Sequence, residues 1–300
     1  MQVTSNMVPD ILAAINQSQQ ALNTATEQVA TGKSVNQPSD NPAASAEMVE
    51  NTIETGDVDQ YTQNVSSVLS QVQSASSVLS NVVTSLTQAV SLGTEAANGT
   101  TSSANLKELT TQVQGILSTV VSQANTSVSG SYLFAGSAGT TPYTADSSSP
   151  TGYTYNGNDD VNSVEVGDDM SVQSNIPGSQ IFSNSSNNVL GALSSLVTAL
   201  QSGSSSAIAT ATASVTSAIG YVGQQQAVYS TSQDQLNSQE TVLQQDTVSL
   251  ASQENSLIGV DEAKAAENLS QAETDNSAAL AAAAKVMPDT LLNYLSTPAG

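Results

Sequence analysis

The sequence predicts a mainly α protein: a long antiparallel coiled coil or helical bundle formed by both chain ends, with a small β-rich domain inserted in the middle. Three observations predict it. Apolar residues alternate in steps of three and four over residues 58–93. Helical periodicity returns from about residue 190 to the C-terminus. Between the two lies a stretch that gathers aromatics and turn residues. A period of 3.5 keeps one stripe of a helix facing a partner, whereas alternation bounded by turn residues marks short strands.

The first helix is expected from about Pro9, a residue suited to a first turn, to Gly32, a natural C′ residue. Ile11, Ile15, Leu22, Ala25 and Val29, with Ser18 completing the series, form its seam. Residues 33–41 connect it to the next helix. Pro38, Ser39 and Asp40 precede Asn41, which suits an N-cap, and Pro42, which suits a first helical residue. The second helix carries Val58, Tyr61, Val65, Val68, Val72, Ala75, Leu79, Val82, Leu86, Ala89 and Gly93 in strict three-four alternation, ending near Asn98-Gly99. A third helix is expected with Asn105 and Glu108 as a capping box and Leu106, Leu109, Val113, Ile116 and Val120 on one face.

Six of the ten aromatics, Tyr132, Phe134, Tyr143, Tyr153, Tyr155 and Phe182, fall between residues 130 and 187. Short strands are expected at 153–155 and 164–166. A short helix with Leu190, Leu193, Leu196, Val197 and Leu200 follows, then a long one from about Ser206 to Ser256. Gly259 breaks that helix and Asp261 caps the last, whose seam is read as Ala263, Ala266, Leu269, Ala272, Leu280, Ala283 and Met287, ending before Pro288. The chain therefore divides into a terminal helix and connector (1–45), a helical rod (46–129), the β-rich insertion (130–187), a returning rod (188–260) and a C-terminal helix (261–300).

Composition excludes more than it selects. With 26 acidic residues against four lysines (Lys33, Lys107, Lys264, Lys285) the formal charge is −22, so nucleic acid and anionic membranes are not expected partners. No apolar run approaches the roughly 20 residues of a membrane span, so no membrane insertion is expected. The N-terminal residues lack the basic and apolar regions of a cleavable secretory signal. There is no His, Cys, Trp or Arg, which removes most triads, thiol nucleophiles, zinc sites and bidentate phosphate clamps. No catalytic residue, cofactor or metal is therefore assigned. One acidic cluster, Asp159, Asp160, Glu165, Asp168 and Asp169, has the ligand type for Ca²⁺ but not the spacing of an EF-hand loop, and reads first as a solvated surface. The terminal seams offer few large aliphatics, so these helices are expected to be weakly held until neighbouring copies cover them.

Residues 31–44 (TGKSVNQPSDNPAA) and 262–295 resemble the N-terminal connector and C-terminal helix of the flagellin family. SYLFAG at 131–136, YTYNGNDD at 153–160 and NIPGSQIF at 175–182 resemble the hook-associated members of that family that join hook to filament. The resemblance covers essentially the whole chain. It implies a structural protein of the bacterial flagellum, extracellular, exported by the flagellar type III apparatus without a cleaved signal. It implies a homo-oligomer in layers between hook-associated protein 1 and flagellin, and an export chaperone bound at the C-terminal helix. Two departures matter: Gln2 stands where relatives carry a basic residue, and arginine is absent. Salt bridges between subunits therefore do not carry over. The rival readings are the filament subunit, flagellin itself, and, in another class, a cell-surface adhesin with a Ca²⁺-binding module.

Overall fold

A computed structural model describes residues 7–98 and 101–295, with side chains for 9–98 and 101–285. The chain forms two compact units, one from 1–57 with 246–300 and the other from 58–245. Seven helices are described: α1 (Met7–Thr31), α2 (Pro42–Ala97), α3 (Ser103–Ala124), α4 (Gly178–Phe182), α5 (Val189–Ser202), α6 (Ser205–Ile258) and α7 (Glu262–Leu295).

Their ends follow from local chemistry. Gly32 closes α1 at φ +68°, where a Cβ would be strained, and its N–H reaches the Gln28 carbonyl at 3.0 Å. Asn41 caps α2 by accepting the Ala44 N–H at 3.2 Å, with Pro42 as first residue. Asp261 caps α7 by accepting from the Lys264 N–H at 3.1 Å. Two expectations are corrected. The cap of α3 is Ser102, which accepts from the Asn105 N–H at 3.2 Å, so Asn105 lies inside the helix as its third residue. α7 does not stop at Pro288 but runs on to Leu295, taking the proline into the helix despite the lost ladder bond and the crowding of the preceding turn.

The core of the 58–245 unit is helical. Val65, Val72, Leu79, Val82, Leu86 and Ala89 of the predicted α2 seam are fully buried. α3 contributes Leu109, Val113, Ile116 and Val120; α5 contributes Leu190, Leu193, Leu196 and Leu200. On α6 the buried residues Ile208, Val215, Val222, Tyr229, Leu236 and Leu243 recur at every seventh position, the heptad spacing of a helix against one partner. Gly93 is a glycine in the α2 seam, which runs on to the buried Ala96, because Thr212 and Leu196 approach it closely; a Cβ there would collide with the Thr212 hydroxyl. Gly93→Ala is thus an overpacking change of the kind that costs about 1–3 kcal/mol.

The β region consists of three separate antiparallel hairpins rather than one sheet. They are β1 (Ser127–Val128) with β2 (Ser131–Tyr132), β3 (Tyr143–Ala145) with β4 (Tyr153–Tyr155), and β5 (Ser163–Gly167) with β6 (Met170–Gln173). The first begins before the expected boundary at residue 130. Its turn uses positive φ at Ser129 and Gly130, the backbone twist that matches two paired strands. Strands this short gain little from their ladders. An aromatic cluster unites them instead. Phe134 meets Phe182 edge-on at 5.3 Å, Tyr143 meets Phe182 at 6.0 Å, and Tyr143 lies 5.2 Å from Tyr155. Their polar ends are satisfied internally: Tyr143 donates to the Gly178 carbonyl at 2.9 Å and Tyr155 to the Phe134 carbonyl at 2.9 Å. From α6 the Tyr229 hydroxyl accepts the Ile176 N–H at 3.0 Å. Burial raises the Tyr143 and Tyr229 phenols above their usual range, so both stay neutral and able to donate.

At the β3–β4 loop, Asp146 accepts from the Ser148 hydroxyl at 2.6 Å, the Thr154 hydroxyl at 2.7 Å and the Ser148 N–H at 2.9 Å. These bonds, the Ser148 hydroxyl foremost, hold its carboxyl down at about 2, against an ordinary 3.8. A depressed carboxyl stabilises the folded loop above its unfolded value and loses that contribution as pH falls through the folded one. The loop's amide signals are therefore expected to hold steady down to about pH 3 and to change with a midpoint at about pH 2. A carboxyl titration by NMR checks this: a midpoint near 4 for Asp146 would contradict it. Asp146→Asn should abolish the pH-dependent part.

Candidate assembly surface: the terminal helix pair

In the unit formed by the two chain ends, α1 and α7 pack antiparallel. Gln19 of α1 meets Asn276 of α7, and Gly32 meets Val260. The α1 residues facing inward are Ile11, Ile15, Ser18, Leu22, Ala25 and Gln28, in steps of four and three until the last. Five of them are the predicted series. Val29 is the exception: it is 44% exposed, and Gln28 takes its place.

On α7 the predicted register is off for half the seam. Leu269, Ala272 and Ala283 face inward, but Ala263, Ala266 and Leu280 lie exposed, Leu280 at 52%. Met287 falls outside the residues whose side chains are described. The inward series is Ala265, Leu269, Ala272, Asn276, Ala279 and Ala283, again alternating four and three. Alanines at 278–279 and 281–284 fit any register, so attention to the one large side chain, Leu280, misplaced the stripe. Stepping by four and three from Leu269 in both directions would have found it, at the cost of accepting an asparagine in the seam.

That seam is thin. Fully buried apolar side chains are Ala25 on α1 and Ala265, Ala272 and Ala283 on α7; Ile11, Ile15, Leu22 and Leu269 are only half-buried. It is also polar. Asn276, 6% exposed, donates to Gln19 Oε1 at 3.1 Å, and the Ser18 hydroxyl is buried without a partner. A buried amide fixes register and costs stability. Elsewhere in the same unit Asn51 of α2, also buried, donates to the Leu250 carbonyl of α6 at 3.1 Å.

The connector residues do structural work. The Asp40 carboxylate accepts the N–H groups of Asn36 at 3.1 Å and Gln37 at 2.9 Å, closing a loop whose exposed tip is Pro38-Ser39. Lys33 pairs with Glu254 at 3.1 Å, both side chains well exposed, a geometry worth about 0–1 kcal/mol.

What distinguishes this unit is uncovered apolar surface. Of the nine large apolar side chains exposed among the described residues, six are here: Leu12, Val29, Val49, Ile53, Val248 and Leu280, with Ile53 at 62% and Val248 at 70%. A groove of about 610 Å³ runs along the pair, lined by alanines (Ala14, Ala21, Ala25, Ala272) and by longer polar side chains such as Gln17 and Gln271. Leu12, Val29 and Leu280 lie on α1 and α7, and Val49, Ile53 and Val248 on α2 and α6.

The acidic cluster does not converge. Asp159 accepts from the Ser179 hydroxyl, Asp160 from Ser137 and Asn158, and Asp168 from the Tyr61 hydroxyl at 3.1 Å. Among the described residues no group of three or more acidic side chains could hold a metal ion, and no helix is long and apolar enough to cross a membrane.

Residues 4–139 match the family model of the bacterial flagellin N-terminal helical region. No curated protein sequence matches the chain. Among solved structures, a candidate flagellar hook-associated protein from Vibrio parahaemolyticus is 19% identical with a TM-score of 0.67, the match covering 73% of this chain and 100% of that one. FlgL of Bacillus cereus is 21% identical with a TM-score of 0.59, over 69% and 99% of the two chains. Flagellar hook-associated protein 3 of Legionella pneumophila is 16% identical with a TM-score of 0.62, over 71% and 98%. The N-terminal part of the chain is thus similar to the bacterial flagellin N-terminal helical region, and its fold is like that of the solved flagellar hook-associated proteins.

Proposed function

We propose that this chain is a structural subunit of the bacterial flagellum, placed outside the cell where hook meets filament. The observation that carries the reading is the unit formed by the chain ends, with its thin polar seam and six of the nine large apolar side chains exposed among the described residues. Copies of the chain stack by covering one another's α1 and α7, with hook-associated protein 1 on one side and flagellin on the other. Before that, the chain passes through the flagellar type III apparatus, and an export chaperone holds α7. The lack of cysteine suits passage without cross-linking. The role is mechanical and includes no catalysis, cofactor or metal. Deleting the gene tests it: hooks without filaments, with flagellin shed into the medium, are expected. Normal filaments and motility would refute the reading.

A further inference from the structure

We propose that a pocket between α2 and the β region binds a single neutral sugar ring, a hexose or an N-acetylhexosamine. The pocket has a volume of about 370 Å³ and is lined by residues of 58–245 alone. The site therefore does not rest on the junction reading or on the chain ends. Two of the motifs that stand out in the sequence meet there. Ser131, Tyr132 and Gly136 come from the 131–136 motif, and Asn175 opens the 175–182 motif.

The lining selects the charge of the ligand. Among the described residues that form it, none carries a charged side chain. An anion would meet no cation there, in a chain of formal charge −22. A metal ion would meet no carboxylate, since nearby Asp160 accepts from the Ser137 hydroxyl at 2.6 Å and the Asn158 amide at 2.8 Å. What the pocket offers is amides and hydroxyls, which both donate and accept. Adjacent hydroxyls on a sugar ring do the same. Its volume lies in the range of small-ligand sites and corresponds to on the order of ten waters.

Part of the lining is fixed and part is free. Ser174 and Asn175 are each 7% exposed. Asn175 Oδ1 accepts the Asn162 N–H at 2.7 Å, its amide donates to the Asp160 carbonyl at 3.3 Å, and the Ser174 hydroxyl donates to the Asn162 carbonyl at 3.3 Å. Asn64 donates to the Glu165 carbonyl at 2.8 Å and accepts from Gln60 at 2.9 Å. These bonds tie α2 and β5 into a frame that need not rearrange on binding. Against that frame, Ser67 and Gln71 are neighbours one turn apart on α2. Among the described residues neither side chain has a hydrogen-bond partner. They are the groups left to meet a ligand.

An NMR titration of the full chain with glucose, galactose, mannose and N-acetylglucosamine, each to about 50 mM, tests the site. Saturable amide shifts at residues 130–139, 162 and 174–175 are expected with at least one sugar, with a Kd of about 1–10 mM. Gln71→Ala removes the free amide, costs no internal bond and should weaken binding at least about fivefold. At Gly139, which also lines the pocket, a Cβ meets nothing within 4 Å. Gly139→Val therefore leaves the fold in place, crowds the space and should weaken binding at least about tenfold. Gln201→Ala, an exposed amide on α5, is the control and should change the Kd by less than about twofold. The methyl glycoside of the bound sugar separates the two sources of such a ring. Equal binding assigns the end of a glycan chain, and lost binding assigns the free sugar. No saturable shift with any of the four sugars, shifts confined to other residues, or an unchanged Kd in Gln71→Ala and Gly139→Val would overturn the proposal.

Discussion

Phe182→Ala is expected to destabilise the 58–245 unit by about 3–5 kcal/mol, a large share of the roughly 5–15 kcal/mol that holds a domain folded. The ring is fully buried and is the common neighbour of Phe134, at 5.3 Å, and Tyr143, at 6.0 Å. Removing it empties the centre of a cluster that substitutes for a sheet, since hairpins of two to five residues per strand cannot hold position by themselves. The hairpins should loosen before the helices do. Urea unfolding followed by near-ultraviolet dichroism of the tyrosines and by helical dichroism checks both parts. A loss below about 1 kcal/mol would mean the aromatics are not the core of this region. Phe182→Leu keeps most of the volume and should recover much of the difference.

The second large effect is functional. Replacing Ile11, Ile15 and Leu22 together with serine removes the large aliphatics from the α1 side of the terminal seam. The 58–245 unit contains none of these residues, so its unfolding midpoint should stay within the error of the measurement. Cells carrying only this variant should nevertheless resemble cells lacking the gene, releasing as much flagellin into the medium. Normal filaments from the triple variant would place the joint elsewhere on the molecule. The same substitutions on exposed residues of α6, such as Val228 and Val242, are the control and should leave filaments intact.

The sequence announced most of the helical framework because large side chains at fixed spacing carry a register. The α2 seam from Val58 to Gly93 and the α1 series from Ile11 to Ala25 lie where the periodicity puts them. The cap at Asn41 was legible because Pro42 follows it as a first helical residue, and that at Asp261 because Gly259 breaks the helix before it. Where side chains carry no register, the reading slipped. The alanine-rich α7 accepts several stripes equally, and only the interhelical amide of Asn276 singles one out. Asn105 and Glu108 mimic a capping box, and the real cap, Ser102, sits among other small polar residues that obscure it.

The motifs around Phe134 and Phe182 were visible as motifs, but not their meeting: the Gly178 N–H donates to the Phe134 carbonyl at 2.8 Å. That bond joins segments which the sequence separates by two hairpins. The antiparallel backbone bridge between Lys33 and Gly259 was illegible for a stronger reason. It is made of backbone groups, which every sequence has, and its two strands come from opposite ends of the chain.

The central claim is that the terminal helices are the joint. It is tested most directly by hydrogen exchange with mass-spectrometric readout, on the free chain and on the chain within isolated hook–filament assemblies. Residues 9–31 and 262–285 should exchange at least about a hundredfold more slowly in the assemblies, while the core of residues 58–245 is slow in both. Equal protection of α1 and α7 in the two states, or a slowing confined to residues 58–245, would contradict the account.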